Sequence, residues 1–174
     1  MRPRPLLLIL VVVAGCHRSK GDHAKPKPPP SPETAALCAD LDRLTSAAAS
    51  NFADQRTDTP VARGSDAGFA LKQGITGAER CAILHADPSY PDDMIECDLG
   101  EPGTRDHGLE VVAAWTERIG GCPVVSTWFS KPKSDGTHAW ELETEDDHLL
   151  EIHVGLSGDE DTAQPTLQIR RPEI

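Results

Sequence analysis

Five histidines lie beyond residue 32, and four of them stand beside acids. Glu151 and His153 are two apart, so on a strand they share one face, read as the wetter one. His148 follows Asp146-Asp147, His107 follows Asp106, and His85 precedes Asp87. A carboxylate next to an imidazole raises its pKa and orients it, which is what general acid–base work requires. From residue 33 onward, however, the chain carries 27 acids. Such neighbours then arise from composition alone, and solvated side chains are the stronger reading. Other catalytic patterns lack their residues. The stretch Gly155-Leu156-Ser157-Gly158 does not have the G-x-S-x-G spacing, and neither H-E-x-x-H nor a P-loop occurs. The acidic turns DDMIE, ETEDD and GDEDT offer oxygen ligands for calcium, but none follows the EF-hand loop. They read as solubilising turns. No catalytic, cofactor-binding or metal residue is assigned, and no cofactor is expected.

Cysteine chemistry points elsewhere. Of five cysteines, Cys16 ends the stretch Leu6 to Cys16, LLLILVVVAGC, which follows Arg2 and Arg4. The strongly apolar run from Leu6 to Val13 is far shorter than the roughly 20 residues that a bilayer span needs. A basic start, a short apolar run and small residues after it form a processed signal. Val13-Ala14-Gly15-Cys16 resembles the lipobox of bacterial lipoprotein precursors. That resemblance covers only the first 16 residues. It implies cleavage before Cys16, lipidation of that cysteine by acyl chains such as palmitate, and a periplasm-facing chain anchored in the cell envelope. More than one acyl chain gives stable anchoring without a spanning helix. In lipoproteins of this kind an Asp after the cysteine signals inner-membrane retention. His17 stands there, which leans toward the outer membrane.

Residues 1–15 are thus a signal peptide and 16–31 a tether. The tether, rich in proline and lysine, favours extended polyproline geometry at about 3.1 Å per residue. Residues 32–174 are read as a single acidic domain. From Glu33 onward 11 Lys and Arg face 27 Asp and Glu, a net charge of −16. Nucleic-acid binding needs a basic footprint and is excluded as a function. The partners expected are the membrane, through lipidated Cys16, and an envelope protein.

The remaining elements follow from capping and periodicity. Ser31-Pro32-Glu33 is a helix start, and Leu37, Leu41, Leu44 and Ala48 follow at helical spacing. This predicts a helix from 32 to about 52, with Asp40, Asp42 and Arg43 on its wet face. Residues 51–68 read as a loop and 69–73 as a short edge strand. Cys81 to His85 is read as a strand pairing with Met94 to Leu99 across DPSYPDD. Reflection about Pro88-Ser89-Tyr90 sets Ile83 opposite Ile95 and Cys81 opposite Cys97. A second helix carries Leu109, Val112, Trp115 or Thr116, and Ile119, and Gly120-Gly121 stops it. Period-two strands follow at 124–130, 138–144, around Leu150 to Leu156, and at Leu167 and Ile169. Pairing about Asp146 sets Leu142 opposite Leu150 and Trp140 opposite Ile152.

Four cysteines beyond Cys16 make two disulfides the default in an oxidising compartment, and three connectivities are open. Their gaps of 43, 16 and 25 residues argue against a zinc site. The hairpin register selects Cys81–Cys97, which leaves Cys38–Cys122. That bond would clamp the first helix to a strand beginning at Cys122.

The order of elements has no βαβ alternation. It predicts an α+β fold, an antiparallel sheet made of a hairpin plus a C-terminal four-strand meander, covered on one face by about two helices. Three functions fit this chain: a tethered non-catalytic binding module, a small His/acid-dependent hydrolase or metal-dependent enzyme, and a structural envelope module. The missing motifs favour the non-catalytic readings.

Overall fold

The computed structural model describes residues 30–63, 66–85, 92–144 and 148–171. The signal, Cys16, the tether as far as residue 29, and residues 86–91 and 145–147 lie outside the described residues.

Helix α1 (Pro32–Ala47) begins as its sequence dictates. The Ser31 side chain accepts a hydrogen bond from the Thr34 backbone N–H at 3.1 Å, and proline occupies the first turn. Leu37, Leu41 and Leu44 are fully buried. A 3-10 turn at Ala48–Ser50 and a left-handed Asn51 end the helix short of residue 52. Asp40 is not on the wet face but buried. It accepts from the Thr76 backbone N–H (2.9 Å) and hydroxyl (2.6 Å), and it pairs with Arg43 at 3.2 Å. The loop around Thr76 packs over α1, and its N–H finds no strand partner there. A helix carboxylate supplies the acceptor.

Among the described residues, eight strands form one antiparallel sheet: β1 (Arg56–Arg63), β2 (Asp66–Leu71), β3 (Glu79–Leu84), β4 (Met94–Asp98), β5 (Phe129–Pro132), β6 (His138–Glu143), β7 (Leu149–Ser157) and β8 (Gln164–Arg170). Their spatial order is β1-β2-β3-β4-β8-β7-β6-β5. The expected hairpin and meander are both present, and the fold is α+β. Strand β8 does not close an edge. It pairs with β4, setting Leu167 opposite Cys97 and Ile169 opposite Ile95, and so joins hairpin to meander. The apolar match on both sides of β8 explains its central place.

Three local expectations are overturned. Residues 51–68 hold strand β1, which is polar, largely exposed and contains Pro60, so no apolar alternation announces it. Strand β2 is consequently second in the sheet and not an edge. Residues 124–130 are not one strand. Pro123 opens a 3-10 turn that the Ser126 hydroxyl closes on the Pro123 carbonyl, and pairing with β6 begins only at Phe129. Cys122 therefore precedes a turn and does not start a strand.

Helix α2 (Arg105–Gly120) buries Val112, Trp115 and Ile119, so Trp115, not Thr116, completes the apolar stripe. Both helices pack with Ile83, Ile95, Ile152, Leu167 and Ile169 in one core. In the meander, Trp140 pairs with Ile152 and Leu142 with Leu150, and the Thr144 N–H bonds the His148 carbonyl at 2.8 Å. In the hairpin, Ile83 stands opposite Ile95. The sulfurs of Cys81 and Cys97 lie 2.04 Å apart, and those of Cys38 and Cys122 lie 2.06 Å apart.

Candidate functional site

Residues alternating with the core positions populate the other face of the sheet. Direct pairing aligns Glu96 on β4 with Gln168 on β8, and Gln168 with His153 on β7. Period-two geometry alone places these three side chains in a row. Gln168 Nε2 donates to Glu96 Oε2 at 2.7 Å, and His153 hydrogen-bonds Gln168. Beside them, Glu151 lies opposite Arg170 and receives its Nε at 2.8 Å and Nη2 at 2.6 Å.

Glu151 and His153 do share a face, but that face is not wet at Glu151, which is buried. Its charge is committed to Arg170, because a carboxylate taken from water needs a cation or several donors. Burial lowers the pKa of His153 below its ordinary value. Lys133 and Arg170 push the same way, while Glu151 opposes them. The imidazole is a neutral hydrogen-bonding group near pH 7, and the carboxylate beside it serves an arginine.

The polar row continues toward a cavity on this face. Arg63 of β1 reaches β4, three strands away in sheet order. It donates to the carbonyls of Arg80 (2.9 Å) and Glu96 (3.2 Å), to the Asp98 carboxylate, and its Nε stands 3.3 Å from Glu96 Oε1. This reach requires the β1–β2 hairpin to curl over the sheet. Gly68 permits the close approach, since a Cβ there would overlap the Ile83 carbonyl oxygen. Between hairpin and sheet lies a cavity of about 540 Å³, lined by Val61, Ala62, Ala82 and Gln164 with Arg80 and Asp98. Asp98 is buried and takes both arginines, Arg80 Nε at 2.6 Å. Nothing in the sequence singles out Arg63, Arg80 or Asp98, because a hairpin curl and a strand irregularity bring them together. A second cavity of about 520 Å³ lies between the N-terminal turns of α1 and the end of α2, beside Pro30.

The other histidines are scattered. His85 Nδ1 stands 3.1 Å from Asp93, whose N–H donates to Asn51 Oδ1, while Asp87 lies outside the described residues. His107 Nδ1 approaches Glu110 at 3.9 Å. Asp146 and Asp147, beside His148, lie outside the described residues. One pair escaped the sequence reading: Ser130 Oγ and His138 Nε2, 2.9 Å apart across β5 and β6. Burial lowers the pKa of His138.

Among the described residues no group of three or more His, Cys, Asp or Glu side chains could hold a metal ion. The acids of DDMIE serve separate partners, Asp93 with His85 and Glu96 with Arg63 and Gln168. No described helix is long and apolar enough to cross a membrane. No protein-family model matches the chain, and neither a curated protein nor a solved structure matches it.

Proposed function

We propose that this chain is a non-catalytic binding module of the bacterial envelope, facing the periplasm and held to the membrane, the outer one by the residue after the lipobox, through lipid on Cys16. The anchor rests on the lipobox resemblance and on an apolar run too short to span. The binding role rests on one structural observation. The buried acids of the open face are tied to arginines, Glu151 to Arg170 and Asp98 to Arg63 and Arg80, so they act as scaffold and not as bases. Asp98 and its two arginines border a cavity of ligand size beside a polar sheet face.

The anchor is tested by mass spectrometry of the mature N-terminus. A diacylated Cys16 is expected, with unprocessed precursor for Cys16→Ala, and a mature end at any other residue refutes the anchor. The binding role is tested by affinity capture of the tagged full-length protein from its own envelope extract. A discrete, stoichiometric partner or a retained small molecule is expected. Recovery of the protein alone speaks against the role.

The hydrolase reading keeps one specific observation, the Ser130–His138 pair. A nucleophile needs a base within such reach and donors for the oxyanion. Here the serine is exposed on an edge strand, and neither residue lines either of the two cavities described above. Labelling of Ser130 by a fluorophosphonate, lost in Ser130→Ala, would establish the enzyme. No labelling is expected.

A further inference from the structure

We propose that the cavity beneath the β1–β2 hairpin binds a small carboxylate, the free C-terminus of a peptide ending in a small apolar residue, through the terminal nitrogens of Arg80. This deepens the binding-module reading and rests on it.

The starting point is the backbone of Arg80. Its φ is +43°, in a region where non-glycine residues are held at a cost of roughly 1–3 kcal/mol. It sits where the β3–β4 register slips, between the pairs Glu79–Asp98 and Ala82–Glu96. An irregularity of this kind re-aims a side chain out of strict alternation. The re-aimed guanidinium meets Asp98 with its Nε at 2.6 Å. Asp98 is itself buried and held by Arg63, so the contact orients Arg80 from a rigid base. Among the described residues no acceptor engages the two Nη atoms of Arg80, and its side chain is 63 % exposed. The outcome is an arginine braced through one nitrogen, with a two-donor edge left over beside a cavity.

That edge selects the ligand. Two parallel N–H donors match the two oxygens of a carboxylate. Arg63 and Arg80 balance Glu96 and Asp98, so a bound anion adds net negative charge to a locally neutral cluster in a domain that carries −16 from Glu33 onward, and a monoanion is tolerated better than a phosphate dianion. Val61, Ala62 and Ala82 leave room for a small apolar group. Gln164 commits its Nε2 to the Gly100 and Pro165 carbonyls, which leaves Oε1 to accept a peptide N–H.

The test is calorimetric titration of the full-length protein in detergent with N-acetyl-Ala-Ala and with its C-terminal amide. Saturable binding of the acid is expected, roughly tenfold or more tighter than that of the amide, as for hydrogen bonds to a charged group. Arg80→Gly relieves the positive φ, so its thermal midpoint should equal or exceed the wild type, while binding of the acid weakens by roughly tenfold or more. Equal binding of acid and amide, undiminished binding by Arg80→Gly, or no saturable binding of the acid each overturns the proposal. If a partner is nevertheless captured from envelope extract, this ligand assignment falls and the binding module stands.

Discussion

The imidazole of His153 occupies the space that a side chain at Gly155 would need. A Cβ at position 155 would stand 2.5 Å from His153 Cε1 and 3.1 Å from Nε2. Residues two apart on a strand share a face, so the histidine lies along β7 over the glycine. Gly155→Ala is expected to push the ring away from Gln168 and to destabilise the fold by about 1–3 kcal/mol, the range for overpacking. Removing the ring should relieve the clash. In a double-mutant cycle by urea denaturation, Gly155→Ala in a His153→Ala background should cost clearly less. Additive effects would show that the two residues do not compete for this space.

His153 also predicts a pH dependence. Burial lowers its pKa below the ordinary 6.5. Between the folded and unfolded values the unfolded chain holds a proton that the folded chain does not. Stability from this group is therefore fully present above the unfolded value and is lost as pH falls through the folded one. His138, lowered by burial, acts in the same direction. Denaturation midpoints at about pH 7.5 and about pH 5 should differ less for His153→Gln than for the wild type. An unchanged difference would remove His153 as a contributor.

The two cysteine pairs should differ in their effect on stability. Cys38–Cys122 spans 84 residues and Cys81–Cys97 spans 16. Chain-entropy arguments give about 4.5 and about 3 kcal/mol for loops of these lengths. The first also ties α1 to the end of α2, while the second joins strands already paired. Cys38→Ser with Cys122→Ser should lower the thermal midpoint more than Cys81→Ser with Cys97→Ser. Non-reducing peptide mapping checks the pairing, and a peptide joining Cys38 to Cys81 would overturn it.

Asp40 should be the most sensitive carboxylate of α1. It satisfies the backbone N–H and hydroxyl of Thr76 and the amide of Gln73 from a buried position. Asp40→Ala leaves those donors without an acceptor and should cost roughly 2–3 kcal/mol. Asp42, exposed two residues further on, should change stability by less than about 0.5 kcal/mol when replaced by Ala. Chemical denaturation of the two variants side by side decides the matter, and equal losses would count against the role of Asp40.

Local rules determined what short-range physics decides. Ser31 and Pro32 start α1 wherever it packs, because capping acts within one turn. The alternation of Trp140 and Leu142 against Leu150 and Ile152 admits one register, since a slip of one residue would turn Trp140 to the other face. The same logic set Ile83 against Ile95. Tertiary structure decided what has no period. Strand β1 carries Pro60 and polar neighbours and is a strand only because β2 offers it an edge. Asp40 and Asp42 look alike in sequence, and only the loop carrying Thr76 buries one of them. The Arg63–Asp98–Arg80 cluster joins residues from β1, β3 and β4 through a hairpin curl and a register slip. Neither leaves a mark in residue spacing, because ion pairs form wherever the folded backbone brings opposite charges into reach.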